Sequence, residues 1–199
     1  MNERLRKQFA FIEEIDKEKL IGRQNYLADG SRKENDAEHA WHMALMIILL
    51  SEYSNEPIDV LRTVTMALLH DVIEIDAGDT YAYDEKAKES QKERELQAAD
   101  RIFNLLPEDQ AKKMREIWDE FEARETSEAK FARTMDHIQP LMLNALADGK
   151  SWVEHGVKDS QILKRNANTA DGSKVLWDYA KKEYFEPNVA NGKIQKEEA

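Results

Sequence analysis

The sequence ALLHDVIE at residues 67–74 places three ionisable side chains, His70, Asp71 and Glu74, in an otherwise apolar helical run. A helix with such apolar neighbours packs into a core, where an unpaired charged group costs roughly several kcal/mol. Groups of this kind need compensating partners, and polar residues that break the burial pattern are typical of functional sites. The His70-Asp71 pair therefore predicts further polar side chains on neighbouring inward-facing helices.

Apolar residues recur at helical spacing along most of the chain, and no strand-like alternation or strand hairpin is evident. The fold class is therefore predicted to be all-α, a compact single-domain helical bundle. Residues 23–33 are polar and contain Gly30, which favours an irregular connection. We expect one domain over residues 1–185 and a polar C-terminal tail over 186–199. The predicted helices cover residues 4–20, 36–50, 58–77, 85–106, 108–121, 128–147, 160–165 and 174–185.

Composition narrows the possible partners and locations. The 199 residues carry a formal net charge of -11, which disfavours binding to the phosphates of a nucleic-acid polymer. The chain has no cysteine, so disulfides and thiolate metal sites are excluded. The first residues lack the apolar core of a signal peptide, and the apolar run over residues 43–50 is too short to span a bilayer. We expect a cytoplasmic protein without a membrane partner.

Two further polar side chains are placed to join the His70-Asp71 pair. His39 lies one turn before Met43 at the start of a dense apolar helix, so its ring is expected to point inward. Asp136 lies among apolar or small residues of a later helix. Two imidazoles and two carboxylates suit Mn²⁺, Fe²⁺, Co²⁺ or Zn²⁺, whereas Mg²⁺ prefers oxygen ligands. The predicted site holds one divalent transition metal ion, and the residues leave its identity open.

The order of these residues, H…HD…D, resembles the signature of the HD-domain metal-dependent phosphohydrolases. The surrounding sequence resembles the 5′-deoxynucleotidase branch of that superfamily over residues 20–146, which places the metal-site core at about 20–147. The segments that carry this resemblance are ENDAEHAW at 34–41, HDVIE at 70–74, GD at 78–79 and the stretch from EAKF at 128–131 to Asp136.

The resemblance implies a function and a set of roles. Members of that branch are helical bundles, usually homodimers, that hydrolyse deoxyribonucleoside 5′-monophosphates to deoxynucleoside and phosphate with a divalent metal. Arg23 matches a phosphate-binding arginine. Glu74 and Asp79 match two active-site carboxylates that assist the water or the leaving group and contact the sugar. The metal ligands would be His39, His70, Asp71 and Asp136.

The chemistry of these residue types agrees with the implied roles. Glu74 follows His70 by one helical turn and could orient a water or protonate the departing oxygen. The guanidinium of Arg23 suits a dianionic phosphate, and Asp79 could accept a hydrogen bond from a sugar hydroxyl. The branch commonly has an aromatic residue soon after the phosphate-binding arginine, whereas this chain has Gln24 directly after Arg23. We expect Gln24 to contact the substrate.

Other interpretations of the same residues stay open. Arg23 could pair with a neighbouring acid, Glu74 could be an ordinary helix-end carboxylate, and Asp79 could be a turn residue. The chain could hydrolyse another nucleotide phosphoester or a phosphoanhydride. It could also be a non-catalytic helical module that binds a nucleotide or a protein and keeps a metal only for structure.

Overall fold

Helices dominate the computed structural model of the chain, which describes residues 2–78 and 91–197. The all-α prediction is confirmed, with a small two-stranded sheet as an addition. The first half contains α1 (Glu3–Ile15), β1 (Gly22–Tyr26), β2 (Lys33–Asn35), α2 (Asp36–Leu50), α3 (Val60–Leu69) and α4 (Glu74–Ala77). The second half contains α5 (Gln91–Phe103), α6 (Glu108–Ala123), α7 (Ser127–Leu146), α8 (Lys150–His155), α9 (Asp159–Arg165), α10 (Lys174–Ala180) and α11 (Glu186–Ala190). Single 3₁₀ turns cover Asp16–Leu20, Ser51–Tyr53 and Thr169–Asp171, and a π-helical turn covers Lys181–Phe185.

The core forms where α2, α3 and α7 pack against one another. Met43 and Ile47 of α2, Met66 of α3, and Phe131 and Met135 of α7 are fully buried there. These residues recur at spacings of three and four, so each helix presents one apolar stripe to the other two. The same three helices contribute the polar side chains described below, which lie at the edge of this core.

Local signals fix where two of these helices begin. The Asn35 side chain accepts a hydrogen bond from the Glu38 backbone N–H, and the Glu38 carboxylate accepts one from the Asn35 N–H. This reciprocal pair is a capping box, and it satisfies donors that α2 leaves unpaired. Thr126 caps α7 in the same way through the Ala129 N–H. These caps fix the starting points of the helices that carry His39 and Asp136.

The helix predicted over residues 58–77 is interrupted. It begins at Val60, with Asp59 as its N-cap, and α3 ends at Leu69. The Val72 N–H donates to the Leu69 carbonyl and the Glu74 N–H to the Asp71 carbonyl, so tight three-residue turns replace helical bonds. The indole of Trp118 donates to the freed carbonyl of His70 at 3.2 Å. The break separates His70 and Asp71 from the short helix α4.

The prediction of an irregular connection over residues 23–33 is wrong, because β1 and β2 form an antiparallel pair. Gly22 pairs with Asn35 and Tyr26 with Lys33. The residues of β1 that face inward are Arg23 and Asn25, which are polar. Because the inward-facing residues are polar, the sequence of β1 lacks the alternation of apolar and polar residues that predicts a strand.

The remaining helices fall close to the predicted ranges. The predicted helix over 85–106 is described only from Gln91, and it ends at Phe103. The helix predicted over 174–185 divides into α10 and the π-helical turn. The segment 186–197, expected as a polar tail, contains α11 and the buried Ile194, because the chain there pairs with Lys158 through Gln195. The division into one domain and a tail stays a prediction. In the part of the chain that the structure describes, no helix is long and apolar enough to cross a membrane.

Candidate metal centre and active-site cleft

Four side chains predicted as metal ligands converge at the edge of the core. His39 lies in the first turn of α2, His70 and Asp71 follow the end of α3, and Asp136 lies in the middle of α7. His39 Nε2 is 3.3 Å from Asp136 Oδ1 and 3.9 Å from Asp71 Oδ2. His70 Nε2 is 3.0 Å from Asp71 Oδ2 and 3.9 Å from Asp136 Oδ1. The ligand atoms of His39, His70 and Asp136 all lie within 4.8 Å of one another, and Asp71 joins this group through its contacts with the two histidines.

These separations fit donors around a single ion. Ligand atoms about 2.1 Å from a common metal lie roughly 3 Å apart when adjacent and about 4 Å apart when opposite in an octahedral shell. The buried Nε2 of His70 also makes no hydrogen bond of acceptable angle in the described part of the chain, although Asp71 Oδ2 lies 3.0 Å away. A buried polar atom without such a partner marks a place where a ligand belongs. The donor set suits a divalent metal, as the sequence predicts.

Hydrogen bonds fix the ring of His70 for this purpose. Its Nδ1 lies 2.8 Å from the carbonyl oxygen of Ala67, which can only accept, so Nδ1 carries the proton. Nε2 faces the cluster, and it would present its lone pair there when a bound metal displaces any proton from it. This arrangement, in which one nitrogen donates to a carbonyl and the other faces the metal, is common among metal-binding histidines.

A relay from two other residues does the same for His39. Its Nδ1 lies 2.9 Å from Gln139 Oε1, and the Gln139 amide nitrogen donates to Glu34 Oε1 at 2.6 Å. The carboxylate of Glu34 only accepts, which sets the orientation of the amide and puts its oxygen against His39. His39 therefore keeps its proton on Nδ1 and presents the Nε2 lone pair. Asn25 of β1 donates to the other Glu34 oxygen at 2.8 Å, which ties the relay to the hairpin.

The charges of the cluster act strongly on one another. Burial, reinforced by the nearby charge of Arg23, lowers the pKa of His39. Burial opposes the charged form of His70, but the carboxylates of Asp71 and Asp136 raise its pKa to about 9. Burial likewise opposes ionisation of Asp71, yet His70 and Arg23 hold its pKa below the usual range. The two acids are therefore anionic and demand positive charge at this point.

Arg23 supplies part of that positive charge. Its Nη1 donates to Asp71 Oδ2 at 2.5 Å and to Asp36 Oδ1 at 3.1 Å. The side chain is mostly buried on the inward face of β1, and it also lines the cleft beside the metal cluster. The hairpin thus fixes the guanidinium next to a predicted metal ligand. Arg23 therefore pairs with neighbouring acids, as one interpretation of the sequence expects, and it also lines the cleft.

A cleft of about 580 Å³ opens beside the cluster. Glu74, at the start of α4, lies in its wall together with His70 and Asp71. Gln24 lies on the opposite face of β1 from Arg23, where Lys33 Nζ donates to its Oε1 at 2.6 Å, and Gln24 is not among the described residues of the cleft wall. Asp79 falls outside the described residues. The structure thus brings Arg23 and Glu74, but not Gln24, to the predicted metal ligands.

Two residues that act on His39 were not predicted from the sequence. Glu34 and Gln139 orient His39, and their link joins positions 105 residues apart, which no local pattern reveals. The buried His137 also lines the cleft, and its ring Nδ1 lies 2.8 Å from Thr169 Oγ1. The remaining cationic residues that line the cleft are Lys92, Arg124, Arg133 and Arg165.

A largely helical fold that brings two histidines and two carboxylates together beside a cleft agrees with the HD-domain resemblance of the sequence. Residues 15–177 match the family model described as an HD domain. Because the match covers most of the chain, the protein belongs to the HD-domain family, and that prediction is confirmed.

Relatives and a solved structure agree with this assignment. Human 5′-deoxynucleotidase HDDC2 is 33% identical over 111 residues, which is 56% of this chain and 53% of the relative. The 5′-deoxynucleotidase hdd1 of Schizosaccharomyces pombe is 28% identical over 134 residues, 65% of this chain and 66% of the relative. The chain thus spans little more than half the length of the first of these curated relatives. A crystal structure of a predicted metal-dependent phosphohydrolase from Magnetospirillum magnetotacticum MS-1 has a TM-score of 0.91 and 46% identity, covering 96% of this chain and 95% of that one.

Proposed function

We propose that this chain is a metal-dependent phosphomonoesterase that hydrolyses deoxyribonucleoside 5′-monophosphates. The observation that carries the proposal is the convergence of His39, His70, Asp71 and Asp136, with each histidine Nε2 facing the carboxylates. The similarity to relatives named 5′-deoxynucleotidase supports the choice of substrate. Mn²⁺, Co²⁺, Fe²⁺ or Zn²⁺ fits the mixed nitrogen and oxygen donors better than Mg²⁺ does.

Glu74 is the proposed acid–base group. His39, His70, Asp71 and Asp136 would hold a divalent ion, which would polarise a phosphoryl oxygen and lower the pKa of its bound water. In the reaction, a water oxygen bonds to phosphorus while the bond from phosphorus to the 5′ oxygen breaks. Glu74 lies in the cleft wall next to the ligands, where its carboxylate can take a proton from the water and return one to the departing 5′ oxygen.

Arg23 is the proposed phosphate-binding residue, because its guanidinium lies at the cleft and contacts Asp71. A dianionic phosphate would otherwise meet a protein of net charge -11, so local positive charge is needed for binding. For Asp79 we keep the predicted contact with a sugar hydroxyl. Gln24 faces away from the cleft in the structure, so its predicted substrate contact has no support from its position.

A homodimer is also proposed, from an exposed apolar face of α2. Trp41, Leu45, Ile48 and Leu49 share one side of the helix, and Trp41 and Leu49 are 61% and 72% exposed. A contiguous apolar surface of this kind is typical of a protein interface. Light scattering should give twice the mass of the 23.1 kDa chain, and a monomer would remove the proposal.

The function is tested with purified protein loaded with Mn²⁺ or Co²⁺. We expect phosphate release from deoxyribonucleoside 5′-monophosphates, with slower release from ribonucleoside monophosphates. Nucleoside di- and triphosphates should yield no diphosphate or triphosphate. Such products would instead indicate a phosphoanhydride hydrolase.

Two variants separate catalysis from metal binding. Glu74→Gln should lower kcat by about a hundredfold to ten-thousandfold while the metal content stays unchanged. Glu116→Gln, an exposed carboxylate on α6, is the matched control and should behave as the wild type. If metal-loaded wild-type protein shows no turnover with any nucleotide, the non-catalytic module is the correct interpretation.

A further inference from the structure

Three arginines line the cleft on the side of α6, α7 and α9: Arg124, Arg133 and Arg165, here called the arginine wall. Arg124 ends α6 in a left-handed conformation, with φ at 58°, and its side chain lies at the exposed rim. Arg165 is the last residue of α9. Three separate helices thus direct like charges to one part of a protein whose net charge is -11.

The arginine wall is only partly compensated by acids. Arg133 Nη1 contacts Asp136 Oδ2 at 3.2 Å, and its guanidinium lies 5.0 Å from the centre of the Phe121 ring. The Nε of Arg133 is buried and has no hydrogen-bond partner in the part of the chain that the structure describes. Within residues 2–78 and 91–197, Arg124 and Arg165 make no ion pair or side-chain hydrogen bond. Among the described residues, the acid in direct contact with the wall is therefore Asp136, a predicted metal ligand.

Two other side chains border the wall. The His137 ring Nδ1 lies 2.8 Å from Thr169 Oγ1, and this hydroxyl donates to Asn166 Oδ1 at 3.1 Å, so the ring faces Thr169 through that nitrogen. Glu122 also lines the cleft. Burial, followed by the positive charge of Arg133, lowers the pKa of Arg124. The three arginines are the guanidinium donors on this side of the cleft.

A single phosphate does not account for the wall. In the proposed reaction, the reacting phosphate meets the metal site and Arg23. Arg23, His39, His70 and Asp71 lie on the β1, α2 and α3 side, and Asp136 lies on α7, where Arg133 contacts it. Planar guanidinium groups bind phosphate oxygens in pairs of hydrogen bonds, and several arginines together suit a further phosphate dianion. The cleft volume of about 580 Å³ lies within the usual range of about 300 to 1,000 Å³ for small-molecule sites.

We propose that the arginine wall binds a second phosphate group, so that a nucleoside 5′-diphosphate occupies the cleft with one phosphate beside Arg23 and the other against Arg124 and Arg165. This inference rests on the proposed function only for the position of the first phosphate. Such a diphosphate competes with the monophosphate substrate for the same cleft.

The test measures binding, separately from turnover, by calorimetry on metal-loaded protein. The probe is the α,β-methylene analogue of deoxyadenosine 5′-diphosphate, which resists cleavage between the phosphates, and inorganic phosphate is the single-phosphate reference. The wild type should prefer the analogue. Arg124→Gln combined with Arg165→Gln should reduce this preference by about tenfold or more, as loss of charge-assisted hydrogen bonds predicts.

The matched control removes two positive charges from exposed lysines of α6 and the π-helical turn, Lys113→Gln with Lys182→Gln. It should keep the wild-type preference, because neither lysine lines the cleft. Arg165→Gln alone provides a second variant if the double variant unfolds, as judged by circular dichroism.

The outcomes separate this inference from the proposed function. Equal preference in the wild type and the arginine variants overturns the second phosphate site, even if monophosphates are hydrolysed. A reduced preference supports the site, even if phosphate release is absent and the proposed function fails. An equal loss in the lysine control would show a general charge effect and would overturn the inference.

Discussion

The two sides of the cleft hold their charges in different ways. On the metal side, His39, His70 and their hydrogen-bond partners are buried, and each ring has its proton assigned by a fixed acceptor. On the arginine side, Arg124 is exposed and makes no ion pair in the described part of the chain. The metal side is preorganised for one ion, whereas the arginine side attracts anions mainly by its charge. In our proposals, the first side binds the metal ion and the second contributes to the choice of ligand.

Removal of a predicted metal ligand should have the largest effect on the metal side, because it should reduce both metal binding and activity. Asp71→Ala deletes the oxygen that lies 3.0 Å from His70 Nε2 and also releases Arg23. We expect metal affinity to fall by more than about a hundredfold, beyond the usual effect of an outer hydrogen-bond partner, and phosphate release to disappear. Metal content after dialysis and phosphate release are the measurements.

The control for this change is Asp109→Ala, an exposed acid that pairs with Arg4 far from the cleft. It should retain both metal and activity. Full activity of Asp71→Ala would contradict the assignment of the metal side, whatever the arginine side does.

The metal side could be predicted from the sequence because each ligand breaks a pattern. His39, His70, Asp71 and Asp136 are polar residues within apolar helical stripes, and their order resembles a known signature. Helical periodicity placed His39, His70 and Asp71 on inward-facing helices, and the packing of the helices then brought the ligands together. Their common distances could not be predicted, since the break after Leu69 and the crossing of α2 and α7 depend on tertiary contacts.

The rest of the site lacks such a signal. Arg23 and Asn25 alternate inward on a strand whose buried residues are polar, so the strand looks like a loop in the sequence. Arg124 and Arg165 end their helices as ordinary surface cations would. Their meeting at one cleft is a property of the fold and has no counterpart in local spacing.

A smaller effect is expected from the relay behind His39. Gln139→Leu keeps a buried side chain of similar size but removes the acceptor for His39 Nδ1 and the donor to Glu34. Loss of such an outer partner typically costs about 10-fold to 100-fold in metal affinity. Competition with a chelator measures the dissociation constant of the metal.

Gln97→Leu, at an exposed position of α5, is the matched control and should bind metal as the wild type does. If Gln139→Leu also leaves the affinity unchanged, the orientation of His39 does not depend on the relay. The metal side would then be less preorganised than the hydrogen bonds indicate.

The smallest expected effect is on the free energy of unfolding and comes from Glu18, a buried acid close to the metal side. Glu18 is 8% exposed, its Oε1 has no hydrogen-bond partner in the described chain, and burial, followed by the charge of Asp71, raises its pKa from 4.5 to about 7. The folded protein therefore keeps this proton between pH 4.5 and 7 while the unfolded chain releases it, so the free energy of unfolding falls as the pH rises through that window. Glu18→Gln removes this loss and should stabilise the protein by about 1–3 kcal/mol at pH 8, with no gain near pH 4.

Urea unfolding at both pH values measures the difference, and the exposed Glu13→Gln serves as the control. An equal gain at both pH values would mean that burial does not hold the Glu18 carboxyl protonated. The metal side would then contain no buried acid that differs from the other carboxylates in its protonation.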